Sequence, residues 1–123
     1  MSKRNVVHVE IPAANVAGAA KFYETLFGWK MQHVPEMNYT MWEDGSGSGG
    51  GFNEVSAENP VGQVLVYIDS EDIDADLKKV EKLGGSVVQP KMEIPSTGWF
   101  GLFKDPTGNV LALYTSMNPE YNK

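Results

Sequence analysis

His8 and Glu10 are the residues whose types and spacing most directly suggest chemistry in this chain. They stand two positions apart in the alternating segment 6–11, which predicts a β-strand, so both side chains project from one face. There Glu10 would favour the protonated form of His8, giving an acid–base pair where imidazole normally titrates. Alternatively they supply two ligands to a cation, with Gln63 or Glu54 as a third. A third reading is a purely structural hydrogen bond.

Other common active-site chemistries lack their motifs in this sequence. With no cysteine, disulfides, thiolate metal sites and cysteine nucleophiles are excluded. There is no Gly-x-Ser-x-Gly nucleophile motif, no phosphate-binding P-loop and no Gly-x-Gly-x-x-Gly unit between a strand and a helix. The glycine-rich run at 45–51 precedes a predicted strand, so it lacks the helix N-terminus that binds phosphate.

The charge and hydropathy of the chain argue against nucleic acid and membrane partners. Ten basic residues stand against sixteen acidic ones, a formal net charge of −6. The tightest basic cluster, Lys78, Lys79 and Lys82, ends a predicted helix that opens with acidic residues, which is typical of a solvated helix surface. No apolar run approaches the roughly 20 residues of a membrane helix. The N-terminus does not resemble a secretory signal, so we expect a cytoplasmic protein.

The order of elements repeats once along the chain. The first half predicts a strand, a helix and three strands, at residues 6–11, 16–27, 29–34, 39–43 and a glycine-rich segment ending near Glu54. The second half predicts the same order: a strand at 63–68, a helix capped by Ser70 or Asp72 and running to Leu83, a strand at 86–89 that continues irregularly towards Ile94, and strands at 99–104 and 109–115. Glycines stop both helices, and the segment 105–108 predicts the turn of the last hairpin.

This order predicts an α+β fold of two βαβββ modules. Strand and helix would alternate throughout a doubly wound parallel sheet, whereas here three strands with short turns follow each helix. The sheets are therefore expected to be mixed and mostly antiparallel. We expect a single domain over residues 1–123, with modules at about 5–55 and 62–116.

Two segments of the sequence resemble a known family. The segment HVEIPAANVAGAAKFYETLFGW at 8–29 resembles the opening module of glyoxalase and bleomycin-resistance proteins, in which a strand carrying a histidine leads into a helix ending Phe-Tyr-x-x-x-Phe/Leu-Gly. The segment GWFGLFKDPTGNVLALY at 98–114 is similar to the closing hairpin of that family. The chain thus resembles the vicinal oxygen chelate superfamily, whose fold curls two βαβββ modules around a cleft.

The resemblance also implies where a divalent cation would bind. Metal-dependent members use one residue from the first strand and one from the last strand of each module. These four positions correspond here to His8, to Gly50 or Gly51, to Gln63 or Leu65, and to Ala112. Because glycine and alanine offer no ligand atom, we expect the family's metal site to be degenerate and no cofactor to be bound. A divalent metal held by His8 with Glu10 or Gln63 is the alternative.

Three functions remain open from the sequence. The first is binding of a small organic molecule, which the antibiotic-resistance members sequester in the same way. The cleft would be lined by His8, Glu10, Gln63, Trp42 and Trp99. The second is a lyase, isomerase or dioxygenase that uses an unusual metal, or His8 and Glu10 as acid–base groups. The third is a non-catalytic interaction domain. The resemblance implies a homodimer.

Overall fold

The computed structural model describes residues 3–117 and confirms the predicted α+β fold. The first module comprises β1 (Val6–Ala13), α1 (Val16–Phe27), β2 (Lys30–Val34), β3 (Tyr39–Glu43) and β4 (Gly49–Glu54). The second comprises β5 (Leu65–Asp69), α2 (Ile73–Lys82), β6 (Ser86–Ile94), β7 (Gly98–Lys104) and β8 (Val110–Ser116). A short 3₁₀ turn, Pro35–Met37, joins β2 to β3. The predicted start of β5 at Gln63 is wrong, because the turn containing Gly62, whose φ is 92°, delays the strand until Leu65.

Helix α1 begins and ends where its capping residues require. The side chain of Asn15 accepts a hydrogen bond from the backbone N–H of Gly18, which satisfies one of the free donors of the first turn. Gly28 takes a φ of 73° at the other end, and its N–H donates to the carbonyl of Glu24. A side chain would be strained at that left-handed position, so glycine ends the helix there.

By its contacts the chain divides into two compact units, the first of which covers residues 8–65. Its strands lie in the order β2-β3-β4-β1, antiparallel except for the parallel pair β4 and β1. The buried core between this sheet and α1 consists of Ala13, Trp42 and Phe52. Val9 and Ile11 pack against that core. Because side chains alternate along a strand, His8 and Glu10 project from the opposite side of the sheet, which we call the open face.

The second unit contains residues 66–117 together with residues 3–7. Its strands lie in the order β5-β8-β7-β6, and again only β5 and β8 run parallel. Helix α2 is capped by the Asp72 side chain, and its core contacts are Ile73, Leu77 and Leu113. The lysines at 78, 79 and 82 are exposed, as a solvated helix surface requires. Neither helix in the described part of the chain is long and apolar enough to cross a bilayer.

Arg4 ties the start of the chain to α2. Its guanidinium contacts both carboxylate oxygens of Asp76, and the hydroxyl of Ser70 donates to the same carboxylate at 2.6 Å. Burial of the Asp76 carboxyl raises its pKa, but these hydrogen bonds and the Arg4 charge outweigh burial and hold that pKa below its usual value.

The free energy of unfolding should depend on Phe52 far more than on Phe22. Phe52 is 2% exposed in the core, whereas Phe22 is 59% exposed on the outer side of α1. We expect Phe52→Ala to cost about 3–5 kcal/mol in urea unfolding, because it leaves a cavity. Phe22→Ala is the matched control and should cost about 0.5 kcal/mol. Equal losses would contradict the described core.

The ion pair at Asp76 predicts a pH dependence of stability. A carboxyl whose pKa is lowered by folding stabilises the folded chain above its unfolded value, here 3.8, and loses that contribution as the pH falls further. Asp76→Asn should therefore be less stable than wild type at pH 6, and the difference should shrink below about pH 4. Asp74→Asn, an exposed carboxyl on the same helical turn, is the control. A pH-independent difference would count against the ion pair.

Candidate functional site

Three polar side chains meet on the open face of the first sheet: His8 and Glu10 from β1, and Tyr39 from the start of β3. Strand β4 lies between β1 and β3, and neighbouring strands are about 4.8 Å apart, so Tyr39 must reach across roughly 10 Å. It can do so because β4 carries Gly51 at the level of Glu10, with which Gly51 is paired in register. The missing side chain at Gly51 opens the path.

The three side chains form a closed hydrogen-bonded triangle, which we call the His8–Glu10–Tyr39 cluster. His8 Nε2 lies 2.8 Å from Tyr39 Oη and 3.2 Å from Glu10 Oε2. The Tyr39 hydroxyl donates a short hydrogen bond to the same Oε2 atom. An ionised carboxylate only accepts, and the hydroxyl proton is already used, so Nε2 of His8 is the donor in both of its contacts. His8 therefore carries a proton on Nε2 in this arrangement.

Burial differs within the cluster and assigns different roles to its members. The Glu10 side chain is 11% exposed, and a carboxylate so deeply buried is tolerated only where hydrogen bonds replace its lost hydration. Tyr39 and His8 supply those hydrogen bonds. The His8 side chain is 26% exposed, so its ring is the more accessible part of the cluster. A molecule arriving from solvent would meet the imidazole before the carboxylate.

The structure shows which glycine of β4 faces the cluster. A Cβ atom added to Gly51 would lie 1.7 Å from Tyr39 Oη and 2.6 Å from Glu10 Oε2. A Cβ atom added to Gly50 would instead lie 2.8 Å from Cζ2 of Trp42, on the helix side of the sheet. Of the two alternatives left by the sequence, Gly51 is therefore the residue beside His8.

The positions of the second module that correspond to His8 and Gly51 carry no polar side chain. The first residues of α1 and α2, Val16 and Ile73, are 57 positions apart, and the same interval from His8 leads to Leu65. Leu65 is buried, while Gln63 precedes β5 and donates from its side chain to the carbonyl of Glu58 at 3.1 Å. Ala112 pairs with Tyr67 in parallel register and is fully buried. Leu65 and Ala112 offer no side-chain ligand atom.

These residues do not fit the divalent cation that the resemblance implies. Such an ion needs at least three oxygen or nitrogen ligands, usually with carboxylate among them. Of the four positions that correspond to the family's metal ligands, only His8 has a side chain that could bind a metal ion. Glu10 lies beside it, but its Oε2 atom already accepts from Tyr39. Within residues 3–117, no three His, Asp or Glu side chains are grouped so that they could hold an ion.

The tryptophans predicted to line the cleft lie on the helix-facing sides of their sheets. Trp42 is 8% exposed and stacks on Trp29 with ring centroids 4.1 Å apart. Its buried indole N–H has no hydrogen-bond partner among the described residues. Trp99 packs against the core of the second unit, with the Lys91 ammonium 5.3 Å from its ring centre. Trp42 therefore lies on the opposite side of the sheet from His8 and Glu10. Trp99 lies on the equivalent helix-facing side in the second unit.

Tyr39 is the site residue that the sequence did not distinguish from other strand aromatics. Tyr39 and Trp42 are three positions apart on β3, so alternation places them on opposite faces. Met41 pairs with Gly51, which fixes Tyr39 and Met41 on the open face. The feature that identifies Tyr39 is its position beside Gly51, which has no side chain. That position is known only once the pairing of β3 with β4 is known.

Comparison with known proteins agrees with this fold. Residues 5–113 match the Glyoxalase/Bleomycin resistance protein/Dioxygenase superfamily. A glyoxylase-like domain-containing protein of Didymella fabae is 33% identical over 116 residues, covering 87% of this chain and 90% of that protein. The anthracycline biosynthesis protein DnrV of Streptomyces peucetius is 25% identical over 122 residues, covering 85% of this chain but 44% of its own length.

A solved structure shows the same fold. Methylmalonyl-CoA epimerase from Mycobacterium tuberculosis superposes with a TM-score of 0.67 at 14% identity, covering 96% of this chain and 91% of the epimerase. The fold and the match over most of the sequence define a glyoxalase-like protein. The chain belongs to the glyoxalase/bleomycin resistance/dioxygenase, or vicinal oxygen chelate, superfamily.

The close approach at Gly51 predicts strong coupling between residues 39 and 51. Gly51→Ala should lower the free energy of unfolding by more than about 2 kcal/mol, because its Cβ would overlap the Tyr39 ring. The same substitution in a Tyr39→Ala background should cost much less. Urea unfolding of the four variants of this cycle measures the coupling energy. Additive losses would contradict the overlap.

Proposed function

We propose that this chain is a glyoxalase-like protein that binds a small organic molecule through hydrogen bonds rather than through a metal ion. The observation that carries the proposal is the His8–Glu10–Tyr39 cluster, a buried carboxylate satisfied by two neighbours with an accessible imidazole beside it. Specific ligand sites combine an apolar surround with a few fixed polar groups of this kind.

The charges of the cluster favour a neutral ligand. Glu10 is a fixed acceptor beside the imidazole, so an anionic group brought close to it would be repelled. A ligand hydroxyl can hydrogen-bond to Nδ1 of the accessible His8 ring without that cost, since Nε2 already donates within the cluster. Met41, half-buried on the same face, offers a soft apolar contact next to the polar group. We therefore expect a ligand with one polar oxygen on a compact apolar body.

A second candidate is a metal-independent isomerase or lyase, and the linked hydrogen bonds favour it. His8, Tyr39 and Glu10 form a connected path along which a proton can be held or passed. Glu10 would accept a proton from the carbon next to a carbonyl, and the C–H electron pair would move onto the carbonyl oxygen as an enolate. Return of the proton from Glu10 to that carbon, after the planar enolate has turned its other face towards the carboxyl, would complete an isomerisation.

Binding can be tested with catechol and hydroxyacetone as probes, followed by amide chemical shifts of ¹⁵N-labelled protein. We expect the shifts to concentrate at residues 8–10, 39–41 and 51–53. His8→Ala should weaken binding about tenfold, the equivalent of one hydrogen bond of about 1.4 kcal/mol.

His33→Ala is the matched control, since His33 is exposed and contacts Thr40 at 3.1 Å. It should bind as wild type does. Shifts confined to α1, or equal affinity of wild type and His8→Ala, would refute binding at the cluster. Hydrogen–deuterium exchange at the carbon next to the hydroxyacetone carbonyl, catalysed by wild type and lost in Glu10→Gln, would favour the isomerase candidate over binding alone.

A further inference from the structure

We infer that Tyr39 closes a latent cation site, because its hydroxyl occupies the space that a third ligand at position 51 would need. His8 and Glu10 remain as two potential ligands on β1. The third position is Gly51, directly opposite Glu10 on β4. Tyr39 fills it from the neighbouring strand.

The available space determines which side chains can coexist. The Cβ atom that any other residue would add at Gly51 falls 1.7 Å from the Tyr39 hydroxyl and 2.2 Å from Cζ of its ring. Both distances are well below van der Waals contact, and the tyrosine ring is too rigid to yield by small adjustment. Tyr39 and a side chain at position 51 therefore exclude each other.

The direction of that missing side chain leads to the cluster. The same Cβ position lies 2.6 Å from Glu10 Oε2, the atom 3.2 Å from Nε2 of His8, so the flexible end of the Glu10 side chain must shift to admit a side chain there even without Tyr39. A glutamate there has two further carbons with which to turn its carboxylate towards both groups. With Tyr39 removed, one imidazole and two carboxylates would share the place now held by the phenol, a ligand set suited to Zn²⁺, Ni²⁺ or Mn²⁺.

The charge balance explains why the present cluster is stable without an ion. Two adjacent buried carboxylates would repel each other unless a cation lay between them. The chain instead pairs one carboxylate with a neutral hydroxyl donor and an imidazole. A second carboxylate at position 51 would require a cation to balance its charge. Tyr39 takes the place of both and supplies one hydrogen-bond donor instead.

The test compares metal content in native protein and in the double variant Tyr39→Ala/Gly51→Glu. Each is purified without chelator, dialysed first against Zn²⁺ or Ni²⁺ and then against metal-free buffer, and measured by elemental analysis. We expect no retained ion in the native protein and one ion per chain in the double variant. The double variant should also show a thermal midpoint that rises with metal and falls with EDTA.

Two further variants separate the ligands from the cavity. Tyr39→Ala/Gly51→Ala has the same opened space without the carboxylate and should retain no ion. Adding His8→Ala to the glutamate variant should abolish retention. If the glutamate variant does not fold even with Zn²⁺, the shorter Gly51→Asp in the Tyr39→Ala background takes its place.

Either of two outcomes would overturn the inference. One is stoichiometric metal in the native protein that is lost in His8→Ala, which would mean that Tyr39 does not exclude the ion. The other is absence of retained metal in both carboxylate variants, which would mean that position 51 does not complete a site.

Discussion

The side chain of Tyr39 reaches from β3 to β1 above β4, and the crossing requires a strand without a side chain at that level. Gly51 provides it, because β4 is held in register with both neighbours, opposite Glu10 on one side and Met41 on the other. The geometry of the His8–Glu10–Tyr39 cluster follows from this one steric condition. Without the crossing, the Glu10 carboxylate would lose a donor that its burial demands, and His8 would lose a partner.

The two modules share a backbone plan and differ in what they place on their open faces. Each pairs its first and last strands in parallel, so Glu10 opposite Gly51 corresponds to Tyr67 opposite Ala112. On the helix-facing sides both modules bury ordinary apolar cores. The open face of the first module carries a hydrogen-bonded acid and imidazole, whereas the same face of the second places Tyr67 beside Ala112 and Asp69 beside Tyr114. Among the described residues, an imidazole paired with a carboxylate is therefore found on the first of these two faces and not on the second.

Local sequence signals were sufficient for the element order. Asn15 and Gly28 delimit α1, and the alternation around His8 and Glu10 places both on one face of a strand, because capping and alternation act over a few residues. The loss of a ligand atom at Ala112 came instead from the family resemblance, which supplied the four positions to compare. Where the signal depended on exact strand limits it failed, as at Gln63, which lies in the turn before β5.

The partnership of Tyr39 with β1 was beyond local reasoning for a physical reason. The contact joins residues separated by 29 and 31 positions, and it exists only because a third strand of matching register is inserted between them. The placement of Trp42 depended on the same register, since a shift of one residue exchanges the faces of a strand. Alternation assigns the two faces within β1. Which residues of β3 lie on the same side of the sheet as His8 and Glu10 can be determined only from the strand pairing.

The stack of Trp29 on Trp42 gives the first unit an optical signature of its own. Two indoles with nearly parallel planes, 13° apart, at this separation couple electronically, so their circular dichroism differs from the sum of two isolated chromophores. The remaining tryptophan, Trp99, belongs to the other unit and lies beside a lysine. Loss of the coupled band would therefore report loosening of the first core. Because Trp99 lies outside the stack, that band is a spectroscopic probe of the first unit alone.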